Sequence, residues 1–396
     1  MFRSIGLLLL LLWALPESAS AQQGERPLQL FGYFQNQFQR QIEVEDAKVP
    51  GIINRVEQFD RTITSFSVQQ LNLFLQKDLS QRWSTFINFE VLNNFSSSRR
   101  WGAYNLEEAW IKYRYDRRFS LRLGLQVPTF NNLNEIKNRT PLLPYIVRPL
   151  VYETSFNEIF SIDEYTPERA FVQTYGFFSP GPLKVDYALY VGNSPNINNW
   201  DDQNRKSEEQ QTGIDTTATM LVGGRLGLRV NNLKGGVSLT RDFTNSFKGT
   251  EVLFGGPHDR FDELARTRLG ADFSMTLSNF FLEAEYIQVS YHENDYPGTT
   301  SFNLSRAFYY VTLGYEFRER LQFYLSYWFI KERLVFLDNQ DKAIITIPNV
   351  GLSYLVNDSI RLKAHYAYGK VDFEEHDTPP TTQTINILAL AVSVVF

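Results

Sequence analysis

The chain has 396 residues, no cysteine and a formal net charge of -5. The lack of cysteine excludes a disulfide scaffold and a thiolate metal site, and a mildly acidic chain lacks the basic footprint of a nucleic-acid-binding protein. Aromatic residues form 15% of the chain although its mean hydropathy is negative, at -0.29. This combination indicates a sheet with one apolar face and one face in water.

The first 21 residues have the pattern of a secretory signal peptide. Arg3 precedes an apolar run at 5–15, and an A-x-A cleavage site follows at 19–21. We therefore expect residues 1–21 to be removed on export, so that the mature chain starts at Gln22. No later stretch approaches the roughly 18 to 20 continuous apolar residues that a membrane-spanning helix needs.

Sixteen segments, most with one clearly apolar side, account for the rest of the chain. Apolar and polar residues alternate within them, which predicts β-strands. The predicted strands cover 28–38, 67–76, 82–92, 105–115, 119–127, 168–178, 183–192, 219–231, 235–243, 264–276, 280–291, 305–317, 320–332, 344–356, 359–369 and 384–396.

The connections between these segments alternate in length. Connections after even-numbered strands are short, such as DRR at 116–118, whereas those after odd-numbered strands are longer and polar, such as 193–218 and 370–383. All tight turns would then lie at one end of the strands and all long loops at the other. An antiparallel meander with an even strand count and this arrangement is typical of an outer-membrane barrel.

The alternation itself fits two architectures. In the strand at 183–192, Leu183, Val185 and Tyr187 alternate with Lys184 and Asp186. A soluble sandwich would turn the polar face outward, whereas a wide membrane barrel would turn it toward a water-filled lumen, and periodicity alone does not separate the two. The loop rhythm favours the barrel, which must close because edge N–H and C=O groups have no partners in lipid. We predict an all-β, 16-stranded antiparallel transmembrane barrel that forms one domain over residues 22–396.

One connection is much longer than a compact domain normally tolerates. The strand FSLRLGLQVP stops at Pro128 and the next clear strand begins near Glu168, so residues 128–167 join two strands without a helix of useful length. Loops of this length usually have a function. By strand count this is the third long loop, after the fifth strand.

The sequence offers little for catalysis. Its four histidines, His258, His292, His365 and His376, are scattered, and no pair has the spacing of a metal site. A lipid-hydrolysing barrel would need a serine and a histidine together at the lipid boundary, and His365, the only histidine in a strand, points inward in our register. We predict no enzymatic activity, no cofactor and no metal.

Charged residues on the polar face would line the lumen, where bases slightly outnumber acids. Charged rings select ions through a Coulomb barrier in a narrow passage, so Arg225 and Arg229 with Arg266 and Arg268 would favour anions. The alternative is that these are ordinary lumen charges paired with neighbouring acids. The predicted pore-lining residues are Arg114, Arg122, Arg225, Arg229, Arg266, Arg268, Arg361, Lys363, Glu283 and Glu285.

These features together resemble a known family. The last strand ends at Phe396, which is similar to the C-terminal signature that the barrel assembly machinery of Gram-negative bacteria recognises. Sixteen strands and an oversized third loop resemble the general porins and the related phosphate-selective porins. The stretch GLQVP at 124–128, followed by Phe130, is similar to the strand-to-loop motif of the phosphate-selective family, and Arg148 lies where that family tends to carry a base. The dense arginine ladder of that family is not evident here.

The resemblance implies a homotrimeric passive diffusion channel for small hydrophilic solutes or ions in the outer membrane, in contact with its lipids and lipopolysaccharide. It also implies that the third loop folds into the barrel and narrows the pore. A plugged barrel, in which 128–167 fills the lumen and the protein acts as a scaffold or a subunit of an envelope complex, is the alternative. The loop residues placed at the constriction would be among Lys137, Arg139, Arg148, Glu153, Glu158, Asp163 and Glu164.

Overall fold

The structure is a computed structural model, and it describes residues 27–48, 56–94, 103–152, 165–167, 169–193, 220–244, 264–292, 303–336, 339–374 and 380–396. The predicted signal peptide lies outside these ranges. The strands are β1 (Gln29–Lys48), β2 (Val56–Asp78), β3 (Trp83–Asn94), β4 (Ala103–Arg114), β5 (Ser120–Gln126), β6 (Ala170–Phe178), β7 (Leu183–Asn193), β8 (Met220–Val230), β9 (Leu233–Thr244), β10 (Leu264–Leu277), β11 (Phe280–His292), β12 (Asn303–Phe317), β13 (Leu321–Phe336), β14 (Asn339–Asn357), β15 (Ile360–Glu374) and β16 (Thr381–Val395).

The strands form one closed antiparallel barrel. Each strand pairs with its neighbours in the chain, and β1 pairs with β16. At this seam Tyr33 lies opposite Val395, and Gly32 and Phe396 exchange two backbone hydrogen bonds of 2.9 Å each. Closure gives every strand two partners and removes the edges that a lipid environment would leave unsatisfied. The predicted fold class is confirmed.

Tight turns occur at one end of the barrel, where β1 begins and β16 finishes. Asn231 and Ser278 open the turns between β8 and β9 and between β10 and β11, with φ of 50° and 53°. Between β14 and β15, the Asn357 side chain accepts the backbone N–H groups of Ser359 and Ile360, both at 2.9 Å. These local bonds replace the strand ladder where the chain reverses.

Apolar side chains face outward around the barrel. On β8, Leu226 and Leu228 are each 50% exposed, whereas Arg225 beside them faces inward and is 7% exposed. An outward apolar surface on a closed barrel is suited to lipid and not to water. This outward apolar surface identifies the fold as a membrane barrel and not as a soluble sandwich, the two architectures that periodicity alone did not separate.

The first two strands are longer than predicted. β1 continues to Lys48 and β2 starts at Val56, and their outer parts remain paired, with Glu43 opposite Arg61. Polar residues interrupt the apolar face there, with Arg40 on β1 and Asp60, Thr62 and Thr64 on β2, so the alternation that marks a strand is weakened while the backbone ladder continues. Two 3-10 helices, Asn134–Leu142 and Leu150–Tyr152, lie between β5 and β6. In the described part of the chain, no helix has the length and apolar character to cross a membrane.

Candidate functional site

The third loop, residues 128–167, enters the barrel directly after β5. Its described residues are 128–152 and 165–167. Phe130, Ile146, Leu150 and Tyr165 are fully buried, and they belong to one hydrophobic cluster with inward-facing wall residues. The loop therefore packs inside the barrel as the core of a domain does.

The wall on which the loop packs is apolar on its inner face. We call this surface, formed by β11 to β16, the apolar sector. Because these inward residues are buried together with the apolar side of the loop, their area is removed from water on both sides. The sector consists of Ile287, Val289, Tyr291, Phe308, Tyr310, Trp328, Ile330, Ile345, Ile347, Ala367, Val371, Ile385, Ile387, Ala389 and Ala391.

Glu285 of β11 joins the beginning of the loop to its second 3-10 helix. Its Oε1 accepts the backbone N–H groups of Asn132 and Leu133, at 2.9 and 2.8 Å, and its Oε2 accepts the Tyr152 hydroxyl at 2.5 Å. Burial, together with this carboxylate, holds the pKa of Tyr152 well above its usual value. The hydroxyl therefore stays protonated and remains a donor.

Lys363 of β15 holds the middle of the loop. Its Nζ donates to the backbone carbonyls of Thr140 and Tyr145, both at 2.9 Å, and to Gln35 Oε1 at 2.7 Å. Gln69 of β2 donates to the carbonyl of Ile146 at 3.0 Å. An ammonium group has three donors, so two of them bind the loop and the third binds Gln35 of β1.

Three further side chains of the loop form hydrogen bonds, two of them to the barrel wall. The Tyr145 hydroxyl donates to Glu283 Oε2 at 2.8 Å, and the Tyr165 hydroxyl donates to Glu332 Oε1 at 3.2 Å. The Asn134 side chain donates to the carbonyls of Pro128 and Pro167, at 2.9 and 3.1 Å, and so ties the two ends of the loop together.

A glycine of the wall makes room for the start of the loop. A Cβ at Gly270 of β10 would lie 2.2 Å from Asn131 Oδ1 and 2.9 Å from Phe130 Cζ. Asn131 itself is held there, because its N–H donates to Ser238 Oγ at 2.9 Å and its side chain donates to the carbonyl of Tyr286 at 3.2 Å. The close approach therefore depends on the absence of a side chain.

On the opposite side the loop leaves open space against a charged wall. We call this surface, formed by the inward-facing residues of β4 to β10, the charged sector. A cavity of about 940 Å³ lies between it and the loop, at the short-turn end of the barrel. Seven bases and three acids line the cavity: Arg114, Arg117, Arg122, Lys184, Arg225, Arg229, Lys234, Asp116, Glu135 and Asp186.

Arg225 lies flat along this wall between two acids. It donates to Asp272 at 3.0 and 2.7 Å and to Asp186 at 2.8 Å. A Cβ at Gly227 would lie 2.6 Å from its Nη1, and one at Gly236 would lie 2.3 Å from its Nη2. The two glycines therefore provide the space in which one guanidinium binds both carboxylates.

Arg122 of β5 is oriented by aromatic rings. Its guanidinium carbon lies 4.6 Å from the centroid of the Trp110 ring and 5.1 Å from that of Tyr175, and the nearest oxygen of Glu135 is 3.8 Å from its Nη1. Two aromatic rings within 6 Å of the guanidinium favour the cation and restrict its movement. The charge is thus held between the wall and the loop.

A second ion cluster lies farther from the short turns. Asp242 of β9 accepts from Arg266 at 3.0 and 2.6 Å and from Arg268 at 3.0 Å. All three side chains are at most 1% exposed. Two cations therefore share one carboxylate in a fully buried position.

The structure describes the side chains of two of the seven predicted loop residues. Arg139 is exposed and Arg148 is buried inside the barrel. The remaining five lie outside the description, either in the side chain alone or as whole residues: Lys137, Glu153, Glu158, Asp163 and Glu164.

The predicted wall residues all face inward but are not equivalent. Arg114, Arg122, Arg225 and Arg229 line the cavity, whereas Arg266 and Arg268 are buried against Asp242. Arg361 of β15 donates to Gln322 of β13 and to Ser353 of β14, at 3.4 and 3.3 Å. The other three contact the third loop: Lys363, Glu283 and Glu285.

Sequence reasoning missed the apolar sector. The lumen face was expected to be polar throughout, but β16 carries Ile385, Ile387, Ala389 and Ala391 on its inner face. The sequence does carry a sign of this surface, because the segment INILALAVSVVF has apolar residues on both faces of the strand. An apolar inner face in a wide barrel requires something to cover it, and the apolar residues of the third loop do so.

His365 is the one histidine side chain within the described part. It lies inside the barrel, where its Nδ1 and the Tyr324 hydroxyl are 2.9 Å apart. His258 and His376, and the side chain of His292, are outside that part. Among the residues described, no group of three or more His, Cys, Asp or Glu side chains is placed to hold a metal ion.

Comparison with known proteins finds similarity in structure only. No family model matches the sequence, and no curated protein matches it. An anion-selective porin from Comamonas acidovorans is 11% identical, with a TM-score of 0.56 over 93% of this chain and 99% of its own. The outer membrane channel DcaP of Acinetobacter baumannii is 12% identical, with a TM-score of 0.56 over 96% of this chain and 100% of its own. OmpF of Salmonella typhi, in complex with daunomycin, is 12% identical, with a TM-score of 0.54 over 95% of this chain and 99% of its own. At these identities the similarity is one of fold, and the chain has the sixteen-stranded barrel fold of outer-membrane porins.

Proposed function

We propose that the protein is a porin of the outer membrane of a Gram-negative bacterium, a passive diffusion channel for small hydrophilic solutes or ions. The closed barrel with an apolar exterior supports the membrane location. The similarity in fold to porins and to an outer membrane channel agrees with it. Transport of this kind involves no chemical step, and its rate depends on the solute gradient and on the width and charge of the passage.

The observation that carries the proposal is the one-sided packing of the third loop. Its apolar residues cover the apolar sector, while a cavity of about 940 Å³ remains along the charged sector. A loop that served only to fill the barrel would have no reason to leave charged side chains facing water. The solute path we propose runs along β4 to β9.

We further propose a preference for anions. Seven bases against three acids line the cavity, and when Asp272, which Arg225 binds together with Asp186, is counted with the acids, an excess of three bases remains. The surrounding wall has a low dielectric constant, which focuses the field of the remaining bases into the cavity. A cation entering it meets a Coulomb barrier, and an anion does not.

Planar-bilayer recording of the purified, folded protein tests both parts. We expect stepwise ionic conductance and, under a potassium chloride gradient, a reversal potential of the sign for chloride permeation. Clear cation selectivity would contradict the charge assignment while leaving the channel intact. A folded protein that carries no current would contradict the channel itself.

The plugged barrel remains the second candidate, because one group of contacts favours it. Glu285, Lys363 and the cluster of Asp242 with Arg266 and Arg268 are fully buried, as in a solid interior and not in a water-filled one. In that case the protein would be a scaffold or a subunit of an envelope complex. Retention of partner proteins on the barrel, together with an absence of current, would support this candidate.

The assembly we propose is a homotrimer in contact with outer-membrane lipids and lipopolysaccharide. OmpT of Vibrio cholerae, a 10% identical structure with a TM-score of 0.51, is described in a trimer form. We also propose that the barrel assembly machinery recognises the last strand through Phe396, whose side chain is 56% exposed. Deletion of Phe396 is then expected to reduce insertion in cells, which surface labelling can measure.

A further inference from the structure

A second, smaller cavity lies at the short-turn end of the barrel, between the third loop and the strands β10 to β13. Its volume is about 250 Å³. Ile136 lines this cavity as well as the larger one, so the start of the first 3-10 helix separates the two. On the loop side the lining is apolar and is formed by Leu133, Ile136, Leu143 and Pro144. The small cavity therefore lies outside the solute path that we propose along β4 to β9.

The charged side chains that line the small cavity are acidic. Glu283 of β11 and Glu316 of β12 face it, and among the described side chains of its lining there is no base. Lys234 lies two strands from Glu283 in the same cross-strand row and donates to a side-chain amide of the third loop. Arg361 of β15 donates to an amide and a hydroxyl of the wall. In the described part of the chain neither base forms an ion pair with the two carboxylates, so the lining keeps its negative charge.

Each of the two carboxylates has one oxygen in use and one available. Glu283 Oε2 accepts the Tyr145 hydroxyl at 2.8 Å, and Glu316 Oε2 accepts Gln322 Nε2 at 3.1 Å. Within the described ranges no donor is bound to Oε1 of either residue, and both side chains are only partly buried. The bonds at Oε2 hold the carboxylates in place, and Oε1 can accept a hydrogen bond from a ligand.

Aromatic rings stand beside the carboxylates. The Phe281 ring covers Gly314 of the next strand, where a Cβ would lie 2.0 Å from Phe281 Cζ, so this ring can lie against the wall only because residue 314 is a glycine. Tyr145 of the loop also lines the cavity, and its ring meets that of Tyr324 edge-on, with the centroids 5.0 Å apart and the planes at 83°. Ring faces attract an organic cation and also provide apolar contact for its body.

We propose that the small cavity binds an organic ammonium ion that carries one aromatic ring on a short chain. The ammonium group donates to the carboxylates of Glu283 and Glu316, and the ring packs between Phe281 and the apolar side of the loop. An apolar cavity of about 150 Å³ takes up benzene, so about 250 Å³ leaves room for one ring and a two-carbon arm. A bare metal ion would leave the apolar side uncovered. The site is separate from the proposed channel function, because its ligand joins the loop to the wall and does not enter the solute path.

Calorimetric titration of the folded, detergent-solubilised protein with phenethylamine tests the proposal, with heats in detergent alone subtracted. A mildly alkaline pH keeps the amine protonated. We expect saturable binding of one phenethylammonium ion per chain. Two compounds of similar shape test the role of the charge: 2-phenylethanol is neutral and 3-phenylpropionate is an anion. Both should bind at least about tenfold more weakly, because they lack the charge-assisted hydrogen bond to the carboxylates.

Three matched variants remove one negative charge each. Glu283→Gln keeps an acceptor for the Tyr145 hydroxyl, and it should raise the dissociation constant of phenethylammonium about tenfold. Glu316→Gln should raise it at least about threefold, since Glu316 also lines the cavity. Glu319→Gln is the control, because Glu319 is an exposed acid in the turn between β12 and β13 and does not line the cavity. It should change the constant less than about twofold.

The outcomes decide the site independently of the channel. Binding that Glu283→Gln or Glu316→Gln weakens and Glu319→Gln does not would support the site. No saturable binding, equal affinity for 2-phenylethanol, or the same affinity in the wild type and all three variants would overturn it, as would equal weakening in all three. If Glu283→Gln fails the shift in gel mobility on heating that marks a folded barrel, Glu316→Gln alone decides, since Glu316 accepts no hydrogen bond from the loop in the described part of the chain. The titration uses no current, so failure of the site leaves the channel proposal standing, and a protein without current can still show the site.

Discussion

The two sides of the barrel interior follow the same strand geometry but serve opposite purposes. On the apolar sector the inward side chains are those of a hydrophobic core, and the third loop covers them. On the charged sector the inward side chains are bases and acids, and those of β4 to β9 that line the cavity face open space. The inner wall of this wide barrel is therefore not uniform: part of it supports a folded insert, and the rest borders the cavity that we propose as the solute path.

The contrast also explains why the loop is held at so many points. Burial of its apolar residues gives attraction but little direction. The carboxylate of Glu285 and the ammonium group of Lys363 supply direction, since each binds the loop at several atoms. The loop is therefore positioned against the apolar sector and not merely attracted to it.

The largest effect is expected from Glu285→Ala, which should detach the loop from the apolar sector. It leaves two backbone N–H groups and the Tyr152 hydroxyl without their acceptor, at a cost of roughly 4 kcal/mol in the free energy of unfolding. Urea titration of the folded barrel measures this loss, and single-channel recording should show a larger conductance. Glu285→Gln retains an acceptor and should lose far less. Glu316→Ala, at the mouth of the neighbouring strand, is the control, and equal losses in both alanine variants would contradict the role given to Glu285.

A smaller loss of stability is expected from Gly270→Ala, because the new methyl group would press against the start of the loop. The new Cβ would lie 2.2 Å from Asn131 Oδ1, so Asn131 must turn away and lose its bond to the carbonyl of Tyr286. We expect a loss of about 2 kcal/mol and a changed conductance. Gly235→Ala is a matched control, because its Cβ would come no closer than 3.4 Å to another residue. Similar stability of the two variants would mean that the loop does not pack against β10 as described.

Tyr152→Phe separates the hydroxyl of the loop from its backbone N–H groups, because it removes one hydrogen bond to Glu285 and keeps the apolar ring. The Glu285 carboxylate would still accept both backbone N–H groups. We expect a loss of about 1.5 kcal/mol, with a conductance close to that of the wild type. A loss as large as that of Glu285→Ala would show that the hydroxyl, and not the backbone, holds the loop.

Arg114→Gln should have the smallest effect on stability and act on selectivity alone. Arg114 is exposed in the cavity, so the free energy of unfolding should change by no more than about 0.5 kcal/mol. The reversal potential under a salt gradient should move toward cations. Arg82→Gln, on an exposed turn outside the cavity, should leave the reversal potential unchanged. The same shift in both variants would indicate a general surface effect.

The fold could be predicted from the sequence because the outward face obeys a simple rule. Lipid demands apolar side chains at every second position, as at Leu226 and Leu228, and the turn signals fix where each strand ends. The outer parts of β1 and β2 were not predicted because polar residues such as Arg40, Asp60 and Thr62 interrupt their apolar face, whereas the backbone pairing continues without a pattern in the sequence.

The candidate site could be predicted only in part. Strand periodicity placed Arg225 and Arg229 on the inner wall. It gave no information on their partners, because the bridge from Arg225 to Asp272 depends on a neighbouring strand and on space at Gly227 and Gly236. The attachment of the loop to Glu285 joins residues more than a hundred positions apart, and no local pattern encodes such a contact.

The most direct test of the account asks whether water and ions reach one sector and not the other. The chain has no cysteine, so single cysteines can be placed at Arg229, exposed in the charged sector, and at Ala389, fully buried in the apolar sector. A negatively charged thiol reagent that cannot cross lipid is added to a planar bilayer on the long-loop side only, and the current is followed. If ions pass along the charged sector only, Arg229→Cys is modified through the barrel with a fall in current, and Ala389→Cys is protected. Modification of Ala389→Cys at a comparable rate, or no modification of Arg229→Cys from that side, would contradict this account.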